Sequence, residues 1–238
     1  MKLKIFIPAS LLTLSLLAAD SDIDPVAVSW TGAATNAQGE VMLQVAVNTT
    51  RAPDLADWGS HAGELCTEWY PKICALLDSE GFVPPKHLRI KFREQMPPGT
   101  PAATGGGVMS ISADYIRHHT NDWGLVVHEL THVVQDYGRS QNPGWLVEGI
   151  ADYVRLASFE PQARRPRLHP ERDNYRAGYK VTAMFLEWIE KNHDPHFVHK
   201  INAAMRAGRY RPELFTELTG KPVDDLWADF IAASAKPA

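Results

Sequence analysis

The sequence predicts an α+β protein with a small sheet in its first half and a mostly helical second half. Three observations predict it. Val41 to Val47 and His87 to Phe92 alternate with the two-residue period of strands, both within the first hundred residues. From Asn121 onward, apolar residues recur at the helical spacings of three and four, segment after segment. No internal repeat or linker-like tract separates the halves, and 45% hydrophobic residues in 238 suffice for one buried core. A single domain over residues 20–238 is the expectation.

The N-terminus stands apart. Met1-Lys2-Leu3-Lys4 is basic, Ile5 to Leu17 is apolar, and Ala18-Ala19-Asp20 follows. This is the layout of a cleavable signal peptide over residues 1–19, and it predicts a secreted or periplasmic protein. The apolar run is short for a bilayer span. Removing Lys2 and Lys4 takes the formal charge from -4 to -6. An acidic chain of this kind argues against nucleic acid or an anionic membrane as partner. Oligomeric state is not readable.

Pro53-Asp54 opens a helical region in which Trp58, Ala62, Leu65, Trp69, Ile73 and Leu76 share a face. Cys66 and Cys74 lie eight residues apart in it. One continuous helix would separate them by about 12 Å of axial rise, whereas a disulfide needs Cα atoms within roughly 7 Å. Either Pro71 breaks the helix or these are two buried thiols, and the second reading is preferred. Residues 97–107, with three consecutive glycines at the end, read as a flexible loop, and Val108 to Ser112 as a short strand. Asn121-Asp122 offers an N-cap and Gly138 a stop, which predicts a helix over 122–137. Further helices are predicted over 145–158, 175–191, 196–206, 211–218 and 222–235, with a polar surface loop at 161–173.

The chemistry lies in Val127-His128-Glu129-Leu130-Thr131-His132. Residues four apart on a helix face the same way, so His128 and His132 can hold one zinc ion, and Glu129 can reach a water beside it. A catalytic zinc takes a third protein ligand and keeps one position open. A histidine six residues after His132 would serve, but that position is Gly138. Glu148, in Trp145-Leu146-Val147-Glu148-Gly149-Ile150-Ala151-Asp152-Tyr153, is the better candidate, on the helix that follows. Asp152 shares its face and can orient a ligand histidine. A closed structural zinc site is disfavoured because no cysteine lies near the motif. His193, His196 and His199 are read as helix-end surface histidines.

These segments resemble the basic secretory protein family of plants and bacteria, grouped with peptidases. The resemblance is carried by Ser112-Ala113-Asp114-Tyr115-Ile116, by Val127 through Gln135, by Trp145 through Arg155, by Ala177 through Ala183 with Phe185-Leu186, and by Leu226-Trp227. It reaches back to Trp69-Tyr70-Pro71. The Glu148 segment is also similar to the glutamate helix of thermolysin-like enzymes. The resemblance implies a zincin-like fold, with a small N-terminal sheet over the active-site helix. It also implies Glu148 as ligand and Asp152 behind a histidine. The chain departs from the family name in being acidic.

The expected function is therefore an exported zinc-dependent metallopeptidase acting on a peptide or protein substrate. One Zn2+ is held by His128, His132 and Glu148, and Glu129 is the general base. Tyr179 is the candidate oxyanion donor, with Tyr175 and Arg176 as rivals. Val108, Ser110 and Ser112 are expected on an edge strand that pairs with an extended substrate. The competing reading is a non-catalytic binding protein on the same scaffold, in defence or surface interaction.

Overall fold

A computed structural model describes residues 28–138 and 140–235. The expected signal segment, 1–19, lies outside the described residues. The architecture is α+β, with a five-stranded sheet in the N-terminal half and helices filling the C-terminal half.

Strands β1 (Trp30–Thr35) and β2 (Val41–Asn48) form an antiparallel hairpin. Its turn is tied by the Asn36 side chain, which accepts from the backbone N–H groups of Gln38 and Glu40. Helix α1 (Ala56–Leu76) crosses the sheet and returns the chain to β3 (His87–Arg93), parallel to β2. Gly59 and Gly63 on α1 let the helix lie close, because a Cβ would meet Thr49 at the first and Trp30 at the second. Pro71 lies inside α1 without ending it, and Cys66 and Cys74 are free, buried thiols on that one helix.

Strands β4 (Ala102–Gly105) and β5 (Val108–Ser112) complete the sheet in the order β1-β2-β3-β5-β4. Here the structure corrects the sequence reading twice. The glycine run is not a flexible loop. Gly106 and Gly107 both take positive φ and close a two-residue hairpin, which glycine permits without steric cost. Nor is Val108–Ser112 an edge. It is paired to β3 on one side and β4 on the other, so its backbone is already engaged. Val108 and Ser110 are held in those two ladders, and Ser112 caps helix α2 (Ala113–His118) by accepting from the Tyr115 N–H. On this side of the sheet the edge strand is β4, and β1 is the edge at the other.

Leu43, Val45, Val47, Leu88, Ile90, Phe92, Met109 and Ile111 project from β2, β3 and β5 into one continuous core. Helix α3 (Trp123–Gln135) contacts α1 and β4. Helix α4 (Gly144–Tyr153) follows and continues into a π-helical segment, Val154–Phe159, so the second helix predicted over 145–158 is two elements. Helices α5 (Tyr179–Asn192), α6 (Phe197–Arg206), α7 (Leu214–Thr219) and α8 (Val223–Ser234) close the C-terminal half. Phe185, Trp227 and Phe230 pack against one another edge-on and tilted among them. Among the described residues, no helix is long and apolar enough to cross a membrane.

Candidate metal centre

Helix α3 is buried nearly all round, so most of its polar residues lie inside the protein rather than on its surface. His128 is 6% exposed and Glu129 4%. The helix ends at Asp136, which takes a left-handed conformation with φ 35°, two residues before the expected glycine stop. At the other end Asp122 is the N-cap residue, as predicted, yet its carboxylate does not cap. It accepts from Tyr115 Oη at 2.7 Å and from Arg155 Nη2 at 2.7 Å.

Helix α4 runs antiparallel beside α3. Its Gly149 face meets α5, where a Cβ would land on the side chain of Thr182. Glu148, the residue before Gly149, faces the two histidines of α3. Glu148 Oε2 lies 3.1 Å from His128 Nε2 and 3.5 Å from His132 Nε2, and the two Nε2 atoms are 3.2 Å apart. Ligands on a tetrahedral zinc with bonds near 2.0–2.1 Å are separated by roughly 3.3 Å. The observed triangle has that size. Among the described residues, this is the group of His, Cys, Asp and Glu whose donor atoms converge, all within 4.8 Å of one another. His193, His196 and His199 form no such group.

Each imidazole is held from behind. His128 Nδ1 is 2.8 Å from Asp152 Oδ1, and His132 Nδ1 is 2.7 Å from Gln135 Oε1. Both rings therefore turn Nε2 toward Glu148. Burial disfavours charge on His128, but its hydrogen bonds to the Asp152 and Glu148 carboxylates outweigh this and lift its pKa to about 9. Burial likewise raises Glu148, and the His128 and His132 imidazoles beside it reverse the sign and bring it to about 2. Without a metal, a proton on imidazole is what balances these acids. Glu129 Oε2 is buried with no hydrogen-bond partner, at the same site. An acid atom left unsatisfied beside three convergent donors fits a site completed by a cation and its solvent.

These groups line a cleft of about 620 Å³, walled on one side by residues 99–104, which include the first three residues of β4. Tyr179 lines it too. Gly178 at φ 73° and Tyr179 at φ 47° turn the chain so that the tyrosine ring stacks on His128, centroids 6.1 Å apart. The Glu148 carboxylate, ahead of burial, holds the phenol above its ordinary pKa, so its proton stays available for donation. The rivals are elsewhere. Tyr175 is buried in the aromatic cluster with its hydroxyl on Asp224, and the Arg176 guanidinium lies over the Tyr175 ring. Val108, Ser110 and Ser112 do not line the cleft. Gln135 and Arg155 do, and sequence reasoning gave neither a role. A glutamine at a helix end and an arginine past one carry no periodic signal.

Residues 96–230, more than half of the chain, match the family described as peptidase of plants and bacteria. The chain belongs to this family. The match stops short of Trp69-Tyr70-Pro71, so β1 to β3 and α1 lie outside it, whereas α3, α4 and the whole cleft lie within. No curated protein is significantly similar to this member of the peptidase family. Among solved structures, one similar chain is a mutant M1 zinc metallopeptidase from Deinococcus radiodurans bound to a Tyr-Ser-Ala substrate. It is 13% identical at a TM-score of 0.40, covering 87% of this chain and 48% of that one. The chain thus spans about half the length of that enzyme.

Proposed function

We propose that this member of the peptidase family is a zinc metallopeptidase that is exported and hydrolyses peptide bonds, in a zincin-like arrangement of sheet and active-site helix. The observation that carries the reading is the triangle of His128, His132 and Glu148 at tetrahedral ligand separations, with the unpartnered Glu129 carboxylate beside it. Two imidazoles and one carboxylate leave a fourth position for solvent or substrate, which distinguishes a catalytic from a structural zinc set. When bound, the ion supplies Lewis acidity toward a carbonyl oxygen and a water molecule.

The chain's own residues do the rest. Glu129 Oε2 takes the proton of the attacking water and returns it to the leaving amine. Tyr179 donates its hydroxyl proton in a hydrogen bond to the oxygen that gains charge on attack. Asp152 accepts from His128 Nδ1–H, which fixes that ring with Nε2 forward. An extended substrate pairs with β4, the strand that forms a wall of the cleft and has a free side. Export is inferred from the basic, apolar and small-residue order of residues 1–19. The mass of the purified protein checks it.

The deciding experiment is metal analysis of the purified chain, followed by digestion of a peptide library by the wild type and Glu129→Gln. We expect one zinc per chain in both and a loss of about 10²–10⁴-fold in kcat for the variant. Cleavage retained in Glu129→Gln would remove the assigned base. Bound zinc with no peptide cleaved by the wild type would favour the non-catalytic binding protein.

A further inference from the structure

Gln135 is 2% exposed in the last turn of α3, three residues beyond His132. Its Nε2 donates to the Val147 carbonyl at 2.9 Å, and its Oε1 lies 2.7 Å from His132 Nδ1. The two ends of a carboxamide are chemically distinct, since its nitrogen donates and its oxygen accepts. The Val147 carbonyl can only accept, so it dictates which end of the amide faces α4. The oxygen is thereby turned toward His132, and Nδ1 of that ring must carry the proton. The lone pair is left on Nε2, the atom that faces His128 and Glu148.

We propose that Gln135 is a positioning residue. It reads the main chain of the helix that bears Glu148 and from it sets the tautomer and ring orientation of His132. The second imidazole is then presented as a ligand only when α4 is docked, since Val147 is the immediate neighbour of Glu148. The purpose of this device rests on the metallopeptidase reading, and its content rests on the hydrogen-bond chain alone. The choice of an amide has a charge rationale. His128 is backed by the Asp152 carboxylate, and Glu129 and Glu148 are already present. A fourth acid behind His132 would deepen the negative charge of a buried site, whereas an amide orients the ring without adding any.

The test uses the full chain. Imidazole nitrogen NMR of the metal-free protein, at a pH where His132 is neutral, reports which of its nitrogens is protonated. The expected form is Nδ1–H in the wild type. Gln135→Met keeps the length and removes both hydrogen bonds. It should give mixed tautomers of His132 and weaken zinc binding by about 10–100-fold in chelator competition. Gln135→Glu keeps the acceptor and should restore the Nδ1–H form. A wild-type His132 protonated on Nε2, or a Met variant with unchanged tautomer and zinc affinity, overturns the proposal. If the Met variant does not fold, the wild-type spectrum and the Glu variant decide. Should the wild type bind no zinc, the metallopeptidase reading fails, while the tautomer still decides this one.

Discussion

At His128, burial and charge pull in opposite directions, and charge wins. Its pKa near 9 has a thermodynamic corollary for the metal-free protein. The folded value lies above the ordinary 6.5. Protonation therefore stabilises the fold fully below pH 6.5, and this contribution is lost as pH rises through about 9. Glu148 works in the other sense. Its folded value near 2 lies below 4.5, so its contribution is present above pH 4.5 and lost as pH falls through about 2. The metal-free protein should be most stable with respect to this pair between pH 4.5 and 6.5. A Tm series across pH with chelator present checks it, and a Tm that climbs steadily from pH 6.5 to 9 would contradict the assignment. On the proposed metallopeptidase reading, zinc must displace the His128 proton to bind. Titration calorimetry at pH 7 in buffers of different ionisation enthalpy should show proton release, and its absence would mean the imidazole enters the site already neutral. Replacing Asp152 with Asn should weaken zinc binding by about 10–100-fold, since the ring loses its anionic partner.

The elements that hold these residues were unequally legible. His128, Glu129 and His132 could be read together because their relation is local, set by the pitch of one helix. Glu148 was read from a carboxylate on the helix that follows and from the family resemblance, and Asp152 from its place one turn further along the same face. Strand β4 could not be read, because what keeps Ala102–Gly105 extended is pairing with Val108–Ile111 across two glycines, not its own composition. Strand β1 was missed for a like reason, since the residues after Trp30 are Thr, Gly and Ala, with no alternating apolar pattern, and the strand is held by β2. The assignment of the edge to β5 failed because strand order is a long-range property. Tyr179 could be preferred to Tyr175 and Arg176 only by its place in the sequence, since the turn at Gly178 that separates their directions is a backbone feature. Gly149 shows how tightly an element can be placed. Alanine there would gain about 1 kcal/mol in helix propensity. Its methyl, however, would strike Thr182, whose hydroxyl is bound to the Tyr175 carbonyl and is not free to turn away. Gly149→Ala should cost a net ~1–3 kcal/mol in urea unfolding and weaken zinc binding, because Glu148 moves with the helix. An unchanged midpoint would show that α4 and α5 have slack.

For the whole molecule, the two ends of the ligand-bearing helices are braced differently. Gln135 joins α3 to α4 at one end. Arg155 joins them at the other, with its guanidinium on Asp122 and Glu160 and with Gly124 leaving the space it occupies. A metal bound between such braces adds its binding free energy to folding. At a thousandfold excess over Kd this is about 4 kcal/mol, so chelation should lower Tm measurably and zinc should restore it. A Tm indifferent to chelator would mean that the folded chain holds no ion at this site.

Arg206 is bonded to the carbonyls of Val134 and Gln135 at the end of α3 and to Leu77 at the end of α1. All the donors of the centre are in place by residue 152, yet the side chain that finishes their helix arrives more than fifty positions later. During synthesis, a chain halted near residue 200 would own every ligand and still lack the clasp. Such a truncated chain should take up zinc poorly until the remainder of α6 is added, so that on the proposed reading the ion reaches only the finished fold.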